Sequence, residues 1–155
     1  MKKILTLILI TSVLFATAQQ KDIIWHTDVE KAINISLKKE KPLLLFFTGK
    51  DWCGPCKMTS KYVFESKEFA EWSDNVILVE LDFPRGAKRA QIPAEHIQLA
   101  RQLQVRSYPT VWLVTTTLVN GEAQLQNITP PIIGGSRDAS AWISQAEQIL
   151  NSIKK

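Results

Sequence analysis

The chain has 155 residues, a length that suits one domain with a hydrophobic core of its own. Its 19 lysines and arginines against 15 aspartates and glutamates give a formal net charge of +4, too small an excess to argue for binding nucleic acid or an anionic membrane surface. With only two cysteines, it lacks the cysteine density of a small domain held together by structural disulfides.

The N-terminal segment has the three features of a secretory signal peptide. Lys2-Lys3 precede an uncharged apolar stretch over 4–15, and Ala16-Thr17-Ala18 follows as a small-x-small cleavage site. We therefore expect residues 1–18 to be removed, which leaves 19–155 as a single domain. The apolar stretch is too short to span a bilayer as a helix, and no nearby cysteine could carry a lipid. The predicted product is a soluble exported protein, in the periplasm or, alternatively, outside the cell.

Short apolar runs alternate with amphipathic segments in the first half of the remaining chain. Nearly continuous apolar runs predict buried strands, and a shorter run near the start predicts a third strand, giving strands over 23–25, 42–47 and 76–82. Thr27 and Glu30 form a capping box, and Ser66 is a further N-cap candidate. The predicted helices of this half cover 27–39, 53–63 and 66–72.

The second half continues the alternation. A polar, basic loop over 83–93 leads into a predicted helix over 94–103, with Pro93 near its start. Asn120-Gly121 is a hairpin signal between predicted strands over 110–116 and 122–127. Asp138 caps a last predicted helix that carries apolar residues at helical spacing. The order of elements predicts an α/β domain.

The segment Trp52-Cys53-Gly54-Pro55-Cys56-Lys57 places both cysteines of the chain directly after the first buried strand. If a helix begins at Cys53, both sulfurs lie on its first turn, close enough to bond. The helix N-terminus stabilises a thiolate there, so we expect Cys53 to be an accessible nucleophile with a lowered pKa. Pro55 suits the first turn of a helix, and Gly54 leaves the backbone open to a partner.

This segment resembles the active-site sequence of thioredoxins, and a second segment supports the resemblance. Family members carry a cis proline followed by threonine opposite the dithiol, and Tyr108-Pro109-Thr110 matches that pattern. The resemblance covers about 23–153 and implies a thioredoxin fold, a central mixed β-sheet flanked by helices on both faces. Further matches are similar to an exported thioredoxin-like subfamily related to the soluble end of transmembrane disulfide reductases: Lys41-Pro42, 48–51 and 63–69.

The resemblance also implies an activity, thiol–disulfide exchange. Cys53 would attack a disulfide of a partner protein, and Cys56 would resolve the mixed disulfide. Substrate contacts are implied for Trp52, Gly54, Pro55, Tyr108, Pro109 and Gly134. Gly134-Gly135 has an equally good interpretation as a turn. No cofactor is expected, the protein is expected to be a monomer, and a membrane disulfide reductase is the implied electron donor.

Three alternatives concern other roles. The same residues would serve an oxidase or isomerase at a different potential, or a binding module in which turnover is incidental. A zinc site would need ligands besides the cysteines, but His26 and His96 do not have the spacing from them that zinc-finger motifs have. We therefore expect both histidines at the surface and no bound metal. The loop arginines Arg85 and Arg89, with Lys88, could select acidic partners, although a solvated charge run is the simpler interpretation.

One departure from the family concerns a proton. Thioredoxins keep a buried acid in the strand before the motif, which handles the proton of the second cysteine, and the matching position here is Phe47. Asp51 is expected on an exposed loop, whereas Glu80 or Asp82 could face the site. The sequence does not choose between these carboxylates and solvent.

Overall fold

The computed structural model describes residues 22–126 and 130–153. The predicted signal peptide over 1–18 lies outside the described residues, and so does Asn127 at the predicted end of a strand.

A mixed sheet forms the centre of the described structure, as predicted. Its main path runs in the order β1-β3-β2-β4-β5, and β6 pairs with the start of β4 on the edge opposite β2. β3 is parallel to both β1 and β2, whereas β4 is antiparallel to β2, β5 and β6. The strands are β1 (Trp25–His26), β2 (Leu43–Thr48), β3 (Ile77–Asp82), β4 (Thr110–Val119), β5 (Glu122–Gln126) and β6 (Ile132–Ile133).

Helices cover both faces of this sheet. They are α1 (Val29–Lys39), α2 (Gly54–Thr59), α3 (Lys67–Trp72), α4 (Ala94–Gln102) and α5 (Ala139–Ile153). α2 continues into a π-helical turn over Ser60–Phe64, which completes the helix predicted over 53–63. The predicted basic loop contains a 3-10 segment, Gly86–Gln91, that the sequence did not indicate.

The strand β2 separates two hydrophobic clusters, because successive side chains of a strand point to opposite faces. Leu44 and Phe46 pack with residues of α2, α3 and α5, which we call the dithiol cluster because it includes both cysteines. Leu43, Leu45 and Phe47 pack in a second cluster with residues of α1 and α4. All six residues of β2 are buried, which explains the continuous apolar run by which the strand was predicted.

Aromatic rings fill the dithiol cluster. Phe69 lies 4.7 Å from Phe64 and 5.8 Å from Trp142 between ring centroids, and Trp142 lies 5.8 Å from Trp72. Trp25 packs on the same group, 5.1 Å from Phe64. The tryptophans away from the motif are thus packing residues, as is half-buried Trp112 on the other side of the sheet.

Two of the three predicted caps are confirmed. The Ser66 hydroxyl accepts a hydrogen bond from the Phe69 N–H at 3.1 Å. The Asp138 carboxylate accepts one from the Ala141 N–H at 2.9 Å, and this bond, with the Ser140 hydroxyl, lowers the pKa of Asp138. The capping box at Thr27 and Glu30 is wrong.

The first helix is capped instead by Asp28, whose side chain accepts from the Lys31 N–H at 2.8 Å. Asp and Thr are both good N-caps, so the sequence alone left the start of the helix uncertain by one residue.

His96 is buried, 4% exposed, contrary to its predicted surface position. Its Nε2 lies 2.9 Å from the Thr27 carbonyl oxygen, which joins α4 to the segment before α1. His26 is half-buried, and burial lowers its pKa. Neither position followed from the local sequence, because both depend on packing between distant segments.

A matched pair of leucines tests the dithiol cluster. Leu150 of α5 is 1% exposed, whereas Leu118 of β4 is 60% exposed. We predict that Leu150→Ala lowers the free energy of unfolding by about 2–5 kcal/mol, because it removes buried methyl groups and leaves a cavity. Leu118→Ala should change it by no more than about 0.5 kcal/mol. Urea unfolding of the oxidised protein measures both, and equal losses would contradict the assigned core.

Candidate active site

A strand, a turn and a helix position the cysteines. After β2 ends at Thr48, the Gly49 carbonyl oxygen accepts hydrogen bonds from the Trp52 N–H at 3.2 Å and the Cys53 N–H at 2.8 Å. α2 then begins at Gly54 with Cys53 as its N-cap. The predicted context of the motif, a buried strand feeding a helix, is therefore confirmed.

The sulfurs of Cys53 and Cys56 are joined in a disulfide, with their Cα atoms 5.2 Å apart. The Cys56 N–H also donates to Cys53 Sγ at 3.2 Å. In the reduced protein a donor at this position would stabilise a Cys53 thiolate, since hydrogen bonds to the charged form favour it.

The exposure of Cys53 is smaller than predicted. It is 3% exposed and Cys56 is 1% exposed, so in the disulfide form the two differ little in accessibility. The neighbouring Gly54 and Pro55 are exposed. The backbone between the two sulfurs is therefore open to solvent, although the sulfurs themselves are buried.

The cis proline lies at the start of β4. The Tyr108–Pro109 peptide bond is cis, as the resemblance implied, and Pro109 is buried. Its carbonyl oxygen accepts from the Gly134 N–H at 3.0 Å, and Gly134 has φ +93°, which favours glycine. Gly134 directly follows β6, where the chain bends beside the cis proline, and its place in a substrate groove stays a prediction.

Two contacts bring the cysteine turn and these loops together. The rings of Trp52 and Tyr108 meet edge to face with centroids 5.6 Å apart. On the other side, a Cβ atom added to Gly135 would lie 3.0 Å from the Pro55 carbonyl oxygen, so this backbone packs closely on the motif. The structure thus gathers all the predicted site residues on one end of the sheet, and the sequence missed Gly135.

Trp52 is held in a fixed position rather than free at the surface. Its Nε1–H donates to the Phe83 carbonyl oxygen at 2.8 Å, and the Arg85 guanidinium carbon lies 3.5 Å from its ring centroid. A Cβ atom added to Gly49 would lie 2.4 Å from the ring, which only glycine allows. The sequence predicted contact for Trp52 but did not indicate its neighbours, which come from a distant loop.

The structure separates the candidate proton acceptors. Phe47 is fully buried in the second cluster, so an acid there would be surrounded by hydrocarbon. Glu80 and Asp82 pair with Phe46 and Thr48 of β2 and therefore share the face of the dithiol cluster. Asp51 is exposed, as predicted.

Both carboxylates on that face are engaged by one lysine. Lys50 Nζ lies 2.5 Å from Glu80 Oε1, and the Lys50 N–H donates to Asp82 Oδ1 at 2.8 Å. The Glu80 side chain is 14% exposed. Lys50 thus connects the turn before the cysteines to β3, through its side chain and its backbone N–H.

Within residues 22–126 and 130–153, no three His, Cys, Asp or Glu side chains form a group that could hold a metal ion. In the same part of the chain, no helix has the length and apolar character needed to cross a membrane.

A reversible cysteine pair at the first turn of a helix, beside a cis proline and on a mixed sheet covered by helices, is the arrangement of a thiol–disulfide oxidoreductase of the thioredoxin class. The chain belongs to the thioredoxin-like family, whose model matches residues 24–116.

Known proteins agree with this assignment. The chain is 30% identical over 95 residues to the thioredoxin-related protein DsbJ of Chlamydia pneumoniae, covering 60% of this chain and 27% of the relative. It is 32% identical over 87 residues to the disulfide bond reductase DsbH of the same organism, covering 55% and 52%. A solved DsbH oxidoreductase superposes with a TM-score of 0.61 at 24% identity over 84% of this chain and 85% of that one, which confirms the thioredoxin fold.

The match is confined to part of the sequence relatives. The chain spans about a quarter of the length of DsbJ and about half that of DsbH. Their names therefore describe proteins that contain more than the matched region.

A pair of glycines tests the fixed position of Trp52. We predict that Gly49→Ala lowers the free energy of unfolding of the oxidised protein by about 1–3 kcal/mol, because the new methyl group overlaps the indole ring. Gly54→Ala is the matched control, since nothing lies within 4 Å of the added Cβ atom, and it should change stability by no more than about 0.5 kcal/mol. Urea unfolding followed by circular dichroism measures both. Equal stability of the two variants would show that the ring is not confined by Gly49.

Proposed function

We propose that this protein is an exported thiol–disulfide oxidoreductase that reduces disulfides in partner proteins through Cys53 and Cys56. The observation that carries the proposal is the N-cap position of Cys53, whose sulfur accepts a hydrogen bond from the Cys56 N–H beside the cis proline. This position favours the thiolate, which is the attacking species in disulfide exchange.

The proposed reaction has two exchange steps. The Cys53 thiolate attacks one sulfur of the partner disulfide, forming a Cys53–partner bond and releasing the other partner sulfur as a thiolate. Cys56 then loses its proton and attacks Cys53 Sγ, forming the Cys53–Cys56 disulfide and releasing the second partner sulfur. Two electrons pass from the dithiol to the partner, so the form with the Cys53–Cys56 disulfide is the product state.

The partner is proposed to bind across the end of the sheet that carries the disulfide. The backbone of Tyr108, next to cis Pro109, would pair with an extended segment of the partner, and Gly134 would border it on the other side. Gly134 supports this role because nothing lies within 4 Å of its open face. Trp52 would contact the segment next to Gly54 and Pro55.

The reducing direction is supported by the residues between the cysteines. Gly54 and Pro55 resemble reducing thioredoxins rather than disulfide-forming oxidases, and one relative is named a disulfide bond reductase. The hydrogen bond to Cys53 Sγ acts in the opposite sense, because stabilising the reduced form makes a dithiol more oxidising. The function as an oxidase or isomerase is therefore the second candidate.

Export and the electron donor complete the proposal. The signal-peptide features over 1–18 support removal of that segment and a periplasmic location for the product. In an oxidising compartment the disulfide formed in each turnover must be reduced again. A membrane disulfide reductase is the proposed donor, and the protein is proposed to act as a monomer.

The roles of the two cysteines are tested with a matched pair of variants and insulin as the disulfide probe. Cys56→Ser should stop at a mixed disulfide with insulin, seen as a band of higher mass that dithiothreitol removes, because attack occurs but resolution does not. Cys53→Ser should give no such band. Equal trapping by both variants would overturn the assignment of Cys53 as the nucleophile.

The direction is tested by the equilibrium potential of the cysteine pair against glutathione or dithiothreitol. We predict a value nearer that of thioredoxin, about −270 mV, than that of a strong disulfide-forming oxidase, about −120 mV. Turnover of insulin disulfides by the reduced protein is the companion measurement. A potential near the oxidase value together with failure to reduce insulin would replace the reductase by the oxidase.

A further inference from the structure

A cavity of about 450 Å³ opens beside Trp52 and Tyr108. Aromatic rings and three arginines line it: Trp52, Phe83, Tyr108, Arg85, Arg89 and Arg106. Arg85 and Arg89 belong to the basic loop of the sequence, and Arg106 belongs to the loop before the cis proline. The cavity is therefore lined by the loops that precede and follow α4 in the sequence.

The basic loop is exposed over residues 85–90, and one of its arginines also contacts an aromatic ring. Arg85 lies over the half-buried Trp52 ring, with its guanidinium carbon 3.5 Å from the ring centroid, an arrangement that favours a cation at this position. Burial raises the pKa of Tyr108, and the Arg89 cation partly opposes that increase, so Arg89 acts on the phenol across the cavity. Lys88 does not line the cavity.

Among residues 22–126 and 130–153, the three arginines have no acidic partner. Ion pairs between residues of the described part of the chain involve none of them, and no aspartate or glutamate lines the cavity. Cations that gather in a cleft without counter-charges raise the local concentration of anionic ligands. A planar guanidinium also matches the two oxygens of a carboxylate.

The position of the cavity indicates that a group bound in it would be part of the partner protein. It borders Tyr108, whose backbone is proposed to pair with the partner, and Trp52, which adjoins the nucleophile. Side chains that flank the partner's cysteine would lie within reach of it. The complementary group is a carboxylate.

We propose that this cavity selects partner proteins whose disulfide lies in an acidic segment, by binding aspartate or glutamate side chains next to the attacked cysteine. This inference rests on the proposed function, because it assigns the substrate class of the same site.

The test compares three peptides that share one intramolecular disulfide and differ only in the residues flanking it, which are aspartate, asparagine or lysine. With dithiothreitol supplied to reduce the Cys53–Cys56 disulfide after each cycle, and its direct reaction with each peptide subtracted, the protein should turn over the aspartate peptide with the highest kcat/KM and the lysine peptide with the lowest. The difference should shrink as salt is raised, because the interaction is between exposed charges.

Substitutions locate the effect. Replacing Arg85, Arg89 and Arg106 together by Gln should lower the ratio of kcat/KM for the aspartate peptide over the asparagine peptide by about tenfold. Among the described residues the Arg106 side chain makes no hydrogen bond or ion pair, so Arg106→Gln alone tests the idea without disturbing Trp52, and it should lower the ratio by about twofold. Arg101→Gln on α4 removes the same charge outside the cavity and should leave the ratio unchanged.

The outcomes separate the two proposals. Equal kcat/KM for the aspartate and asparagine peptides would overturn the selectivity and leave the reductase intact. Failure to reduce any of the peptides would overturn the proposed function and the selectivity with it. A preference lost equally in Arg101→Gln, or seen only with glutathione disulfide and with no peptide, would also overturn selection of acidic protein segments.

Discussion

The cysteines of this protein are part of its hydrophobic core, and the rest of the site depends on that constraint. Cys53 and Cys56 pack in the same buried cluster as Phe46 and Trp142. Because protein interiors are close-packed, the first turn of α2 has little freedom to move relative to the sheet. Exchange therefore requires that the partner be brought to the fixed sulfurs, and the surroundings of the disulfide decide which partner fits.

Those surroundings differ on the two sides. On one side the backbone of Gly135 packs against Pro55, which leaves a narrow border formed by main-chain groups. On the other side Trp52 is held between Gly49 and Arg85, and charged side chains line the adjoining cavity. Main-chain groups bind an extended segment of any sequence, whereas arginines distinguish one sequence from another. In the proposed complex, main-chain groups would bind the partner segment and the arginines beside Trp52 would distinguish its sequence.

The sequence predicted the parts of the structure that depend on local chemistry. The run of apolar residues in β2, the caps at Ser66 and Asp138 and the cysteine motif each have a short-range cause, and each was confirmed. The parts that it missed depend on contacts between distant segments. Burial of His96 requires the Thr27 carbonyl group, and β6 has two residues, too few to show a periodic pattern.

The candidate site divides in the same way. The positions of the cysteines and of the cis proline followed from the two motifs. The stacking of Arg85 on Trp52 did not, because a charge run gives no sign of which of its members meets a ring. The two faces of β2 were also undetermined, since the alternation that separates Phe46 from Phe47 is hidden where both faces are buried.

Burial of the cysteines in the core also affects proton transfer, and proton transfer bears on which partner reacts. Cys56 must lose a proton to resolve the mixed disulfide, yet it is 1% exposed, and the acid that the family places behind it is replaced here by Phe47. The carboxylates on the dithiol face, Glu80 and Asp82, are both engaged by Lys50. In the proposed reaction, the partner thiolate released in the first step would be a base available to Cys56 in every turnover.

Acidic residues that flank the two partner cysteines would have two effects on resolution. Through repulsion between like charges they raise the pKa of both partner thiols, so the sulfur released in the first step is a better proton acceptor, whereas the sulfur still bonded to Cys53 is a poorer leaving group. Guanidinium groups in the adjoining cavity would reduce the second effect by neutralising the flanking carboxylates. In the proposed complex, the arginines beside Trp52 would therefore assist departure of the partner sulfur as well as binding of the partner.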